Sequence, residues 1–295
     1  MANIKKTLSK VNSTQQKIPI VSFIVAVVKK YSDDQAGRQA ALLTYYSFLS
    51  LFPMLLILTT LTDIIVGSNS DLKNTIIHGL TNYFPLLGSQ LTVHVHRLRT
   101  SGLVLVIGLI FTVYGTRGVA NVFRNGVQDI WQIPKKERDN FPETLYKSLT
   151  VIIVGGFGFI LASIISGVAS NLNGDIDYRV VPYLINIFLL FWLFNFLINF
   201  NLPKHIPYKE TWAGALIASV GLVILQSLGG IVVAHELKKL DALYSYFALS
   251  LGLIFWLYLQ IQVLYYAFEV AVVKSYRLWP ISLSAEPAEI QRKSN

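Results

Sequence analysis

Six stretches of this chain run long enough without a charged side chain to cross a lipid bilayer: 39–62, 100–116, 148–174, 180–203, 211–234 and 242–268. A bilayer core of about 30 Å needs about 20 apolar helical residues at about 1.5 Å of rise each, and most of these runs supply that or more. An all-α, polytopic membrane protein is therefore expected, with about six transmembrane helices and short amphipathic interfacial helices. Composition agrees: only 14% of the residues are charged and 53% are hydrophobic, with a mean hydropathy of +0.52, whereas soluble domains carry about a quarter charged residues.

The net charge of +9 is explained by its distribution rather than by a nucleic-acid partner. Charged segments alternate with the apolar runs, and 19 of the 25 Lys and Arg residues fall on one side of the expected membrane, against 6 on the other. Basic loops stay inside, so both termini are expected in the cytoplasm of a bacterial plasma (inner) membrane. No cleavable signal peptide is expected, because the lysines up to Lys17 precede only the short apolar run 18–28. Residues 1–38 are read as a cytoplasmic segment with an interfacial helix, 39–276 as the transmembrane domain and 277–295 as a flexible cytoplasmic tail.

Within the first segment Ile20, Phe23, Ile24 and Val27 recur at helical spacing between basic flanks, the pattern of a helix lying on the inner leaflet. Pro53 interrupts the first span and is the candidate hinge. The second span is the shortest, 17 residues between Arg99 and Arg117. Its helical pattern continues, with Arg117, Asn121, Arg124 and Gln128 on one face and Ala120, Phe123, Val127 and Trp131 on another, until Pro134 ends it. Residues 63–99 are expected to form two short amphipathic helices broken at Pro85 on the outer face. Small residues spaced by four, Gly158 with Ala162 and Gly214 with Ala218, suit close helix packing in lipid.

A catalytic reading finds little support. There are no cysteines, and of five histidines only His94 and His96 are close, at a spacing that points two helical side chains apart. No metal site, cofactor or enzymatic activity is expected. Polar groups inside the spans are more informative, since burying them in hydrocarbon requires partners or water. In the sixth run Tyr258, Gln262, Tyr265 and Glu269 stack on one helix face. Glu269, at the cytoplasmic end, could exchange a proton or simply pair with Lys274 or Arg277. Asn195 and Asn199 share a face with Trp192, and Tyr45, Tyr46 and Ser50 precede Pro53. With Arg117 these side chains could line one polar cavity, or could serve as interhelical hydrogen-bonding glue.

The run from Asp34 to Pro53, DQAGRQAALLTYYSFLSLFP, resembles the opening signature of the YihY/BrkB family of bacterial inner-membrane proteins. The likeness continues through 117–131 and 253–269, where Phe255, Trp256 and Leu257 precede Ala267, Phe268 and Glu269. Two departures stand out: Gln128 and Asp129 occupy positions where members often carry asparagine and arginine, and Ala267 and Val270 replace the glycine and asparagine that commonly flank the glutamate. The resemblance implies six helices with cytoplasmic ends, an association with virulence in some relatives, and a link to export of envelope lipids in others. Members have also been labelled ribonuclease BN, a tRNA-processing enzyme, but the loops offer no cluster suited to phosphodiester hydrolysis. The expected function is transport or flipping of an amphipathic, anionic envelope lipid; the alternative is a non-transporting scaffold or envelope-assembly factor. Membrane lipids are the expected partners.

Overall fold

The computed structural model describes residues 18–66, 102–138, 143–171, 176–203, 206–236 and 242–281. Among them the regular structure is helical: α1 (Pro19–Asp33), α2 (Ala36–Val66), α3 (Gly102–Ile130), α4 (Glu143–Asn171), α5 (Ile176–Asn201), α6 (Tyr208–Glu236) and α7 (Ala242–Tyr276), with one 3₁₀ turn at Lys135–Glu137. Each uncharged run falls in its own long helix, because an apolar backbone satisfies its N–H and C=O groups most completely by coiling on itself. Three segments among the described residues, Val180–Asn201, Tyr208–Gly229 and Ser250–Tyr276, are long and apolar enough to cross a membrane. The external helices expected in 63–99 lie outside the described residues from position 67 onward. Position 53 sits in unbroken α2 helix, and the side chain of Pro53 lies outside the described residues.

The six long helices close into a ring in which α3 packs on α2, α2 on α7, α7 on α6, α6 on α5, α5 on α4 and α4 back on α3. α1 rests outside the ring against α7 and α2. The core joins Ala120, Phe123, Val127 and Trp131 of the α3 face to Phe268 and Ala271 of α7 and Ile198 of α5. The outward surface inverts the rule for water-soluble proteins. On α5, Leu184, Phe188 and Trp192 repeat every four residues and are exposed, as are Leu149, Ile153, Phe157 and Leu161 on α4. A continuous apolar exterior of this kind is stable against acyl chains and not against water.

Two chain reversals at one end of the ring position the site. α3 ends in a Schellman motif: Gln132 takes a left-handed φ of 49°, its N–H reaches the Asp129 carbonyl at 2.9 Å, and the Ile133 N–H reaches that of Gln128 at 2.8 Å. Pro134 follows, as the sequence requires. α1 starts with Pro19 in its first turn and stops at a tight reversal through Gln35, φ 53°, which feeds directly into α2. α1 turns Ser22, Ala26, Val27 and Lys30 inward, while Ile20, Ile24 and Val28 are exposed. The face that the spacing marks as apolar is thus split: Val27 packs with Val273, Phe23 meets Trp279 edge-on at 5.0 Å, and the isoleucines point away from the protein.

Candidate functional site

The polar stripe of α7 meets α1, α2 and α3, and each of its members has a different partner. Tyr258 lines a crevice of about 200 Å³ between α2 and α7, shared with Ala41, Thr44, Tyr45, Phe48 and Ile254. Tyr45 is largely exposed there and stands edge-on to Tyr46 at 5.3 Å. One turn further along α7, Gln262 accepts a hydrogen bond from the Tyr31 hydroxyl of α1. Tyr31 also stacks on Tyr266, with ring centroids 4.0 Å apart and planes 6° from parallel. Burial pushes the Tyr31 phenol up to about 12, against the opposing effect of the Gln262 hydrogen bond, so it remains a donor at physiological pH.

Tyr265 is fully buried, and its hydroxyl has no hydrogen-bond partner among the described residues. Its ring lies over Gly126 of α3, where an added Cβ would stand 2.1 Å from the phenolic oxygen. Glycine at 126 is what lets the two helices approach at this point.

Glu269 has no exposed surface, and its carboxylate meets a lysine from another element. Lys30 Nζ lies 3.0 Å from Glu269 Oε2, donates to Asp34 and donates to the Ile130 carbonyl at 2.9 Å. The Glu269 contact is an ion pair by distance only: neither carboxylate oxygen has an aligned hydrogen bond among the described residues. Ile130 is the last residue of α3, so Lys30 places its positive charge on carbonyls left open at a helix C-terminus, where the helix dipole favours a cation. Burial raises the Asp34 carboxyl, and Lys30 and Gln132 act against that rise.

The expected pairing of Glu269 with Lys274 or Arg277 is therefore corrected. Positions 274 and 277 lie five and eight residues on, about 140° and 80° around the helix from Glu269. Lys274 instead stands 4.8 Å over the Trp212 ring of α6, and Arg277 is exposed in the left-handed turn that ends α7.

The other sequence-predicted residues are distributed around the ring. Asn199 donates to Asn195 Oδ1 at 2.9 Å and to Thr211 Oγ1 at 2.7 Å, and Thr211 donates to Asn195 Oδ1 at 3.2 Å. This closed set joins α5 to α6, and Trp192 on the neighbouring turn is exposed. Ser50 is buried and donates to the Ser47 carbonyl at 3.1 Å, while Tyr46 packs over Gly118 of α3. Arg117, one residue before that glycine, is exposed. Among the described residues the predicted set divides between seams: Tyr45, Tyr258, Gln262, Tyr265 and Glu269 follow the α7 seam, whereas Asn195 and Asn199 belong to another. Helix order explains the division, since α5 packs on α4, α6 and α3 rather than on α2.

Sequence reasoning missed Lys30, Tyr31 and Asp34, which complete the seam. The signal was present in α1, where Ser22, Ala26 and Lys30 form a small-residue stripe ending in a lysine. It also missed the part played by Asp129, which accepts from Arg138 at 2.7 Å and from Gln39 at 2.9 Å. The polar face of α3 is structural beyond Arg117: Asn121 accepts from Ser148 at 3.0 Å, Arg124 donates to the Thr144 carbonyl at 3.3 Å, and Gln128 donates to that of Asn201 at 3.0 Å. Among the described residues no group of three His, Cys, Asp or Glu side chains could hold a metal ion.

Comparison with known proteins places this architecture. The chain is 23% identical to the inner membrane protein YhjD of Escherichia coli (strain K12) over 270 residues, covering 81% of this chain and 77% of that one. An uncharacterized protein of Dickeya dadantii (strain 3937) is 25% identical over 241 residues, covering 72% of this chain and 71% of its own. No solved structure matches the chain. The model of the virulence factor BrkB family matches residues 27–289, from the buried face of α1 to beyond the end of α7, and this membrane protein belongs to that family.

Proposed function

We propose that this protein crosses the inner membrane six times, keeps both termini in the cytoplasm, and moves or flips an amphipathic anionic substrate, an envelope lipid, along the seam between α2 and α7. One observation carries the reading: the α2–α7 seam opens at Tyr45 and Tyr258 into a crevice whose accessible lining is almost wholly apolar, and Gln262 lies one turn further along the same face of α7. A groove with such a lining on the lipid-facing side suits an acyl chain of the substrate. Arg117 supports the anionic preference. It is exposed on α3 beside the Tyr46 contact, and an arginine within a membrane helix is costly unless water or a headgroup meets it. The distribution of basic residues, 19 against 6, supports the orientation.

The test is reconstitution into liposomes with a fluorescent anionic lipid and an impermeant quencher. The wild type should exchange the lipid between leaflets, and Tyr258→Leu, Gln262→Leu and Arg117→Ala should slow it by about tenfold or more, a loss of about 1.4 kcal/mol in barrier lowering. No exchange by the folded wild type, or exchange indifferent to all three changes, would remove transport along this seam.

The closed Asn195–Asn199–Thr211 set favours a second reading, a non-transporting scaffold held by interhelical hydrogen bonds. Single cysteines separate the two in a chain that has none of its own. Labelling at 258 and 262 by an impermeant thiol reagent supports a path open to water; silence at both supports the scaffold.

A further inference from the structure

We infer that Asp34 and Glu269 hold one proton between them, opposite the Lys30 ammonium, and that this cluster is the proton-binding site of the path. Its role in transport rests on the function proposed above; its existence does not.

The geometry sets one cation against two carboxyl groups in a dry place. Lys30 and Glu269 are almost wholly inaccessible, and the side chain of Asp34 keeps only 11% of its surface. Both carboxyl groups contact the same Lys30 Nζ, Glu269 Oε2 from 3.0 Å. Two ionised carboxylates on one ammonium have only acceptor oxygens and repel each other; a proton on either one removes that repulsion. Two of the three Lys30 N–H donors go to Asp34 and the Ile130 carbonyl, and the third is left to face Glu269 Oε2 at 3.0 Å, so one ammonium serves both carboxyl groups.

Surrounding charges do not relieve the imbalance. On α1, Lys29 is held by Asp33 at 2.6 Å. At the end of α3, Arg138 is held by Asp129 at 2.7 Å. Both of these outer pairs are neutral as sets, and Tyr31 and Tyr265 bring only neutral phenols. On α2, Arg38 is exposed. With both carboxyls ionised the buried set carries a net negative charge; one proton makes it neutral, which removes most of the desolvation cost.

Asp34 is the entrance because it alone of the pair touches solvent. Proton uptake from water forms one carboxyl O–H bond and breaks none in the protein; release reverses it. Lys30 and Tyr31 are neighbours on α1, so the charge state at Glu269 is mechanically linked to the Tyr31–Gln262 bond one turn from the crevice. Loss of the proton weakens the seat of α1 on α7.

Infrared titration of the full-length protein in lipid nanodiscs tests this, with carbon-13 carboxyl labels on aspartate or glutamate. Above pH about 5.5, where ordinary Asp and Glu are ionised, the wild type should retain a protonated-carboxyl band worth one group that shifts with the labels. Asp34→Asn and Glu269→Gln should each abolish it, because Lys30 then neutralises the one carboxylate left. Absence of the band in the wild type overturns the inference, as does its persistence in both folded variants. Should a variant fail to fold, the labelled wild type still decides. A proton band without lipid exchange overturns the transport reading alone; exchange without the band overturns this one alone.

Discussion

Lys30 of the peripheral helix α1 stands 3.0 Å from Glu269 of the last helix, across 239 residues of chain, and the same ammonium donates to the final carbonyl of α3. One side chain thereby ties together three elements that the sequence leaves far apart. The arrangement also explains why a lysine is tolerated in the inward face of an amphipathic helix: its charge is met by two carboxyl groups and a helix C-terminus.

Removing that cation should be costly. Lys30→Met leaves Glu269 and Asp34 buried without their counter-charge, and a loss of about 3–5 kcal/mol is expected. Adding Glu269→Gln to it should recover part of the loss, because the variant no longer buries an unpaired charge there. Thermal unfolding in detergent, read as a double-mutant cycle, checks both.

The stability of the wild type should depend on Asp34. Its carboxyl is raised by burial from the ordinary value of 3.8, so the folded protein holds that proton more tightly than the unfolded chain. The contribution is fully present below the ordinary value and is lost as pH rises through the raised one. Asp34→Asn should flatten that part of the curve, which a melting series across acidic and neutral pH would show.

Glycines in the spans should divide by what faces them. An added Cβ at Gly214 would meet the Ala267 carbonyl oxygen at 3.0 Å and Ala271 Cβ at 2.9 Å, whereas at Gly156 nothing lies within 4 Å. Gly214→Ala is expected to cost about 1–3 kcal/mol by overpacking α6 on α7. Gly156→Ala should be neutral or stabilise by up to about 1 kcal/mol through helix propensity. Melting temperatures of the two variants, measured side by side, make the comparison.

Asn199→Leu should lower stability by about 0.6–1.7 kcal/mol, the range for interhelical hydrogen bonds in membranes, without altering lipid exchange. Its hydrogen bonds run to Asn195 and Thr211 on the α5–α6 seam, away from the crevice. An equal fall in exchange and in stability would show that this seam also serves the path.

Much of this was legible in the residues. Uncharged runs located all six long helices, since a long apolar segment has few ways to satisfy its backbone except as helix. Pro134 marked the end of α3, and the i, i+4, i+7, i+11 spacing put Tyr258, Gln262, Tyr265 and Glu269 on one face of α7. The same spacing, applied to Asn195 and Asn199, gave a correct face but no means of saying which neighbour it meets.

Periodicity along one helix fixes the direction of a side chain relative to its own axis, and this is what the sequence alone determined: the helices and their polar and apolar faces. It carries no information on the rotation of one helix against another. Only the tertiary structure decided that α1 brings Lys30 to Glu269, that Asn199 turns to Thr211, and that Tyr258 shares a crevice with Tyr45. Those pairings follow from which ridges and small residues let each helix approach its neighbour, and close packing is a property of surfaces in contact rather than of any one strand of sequence.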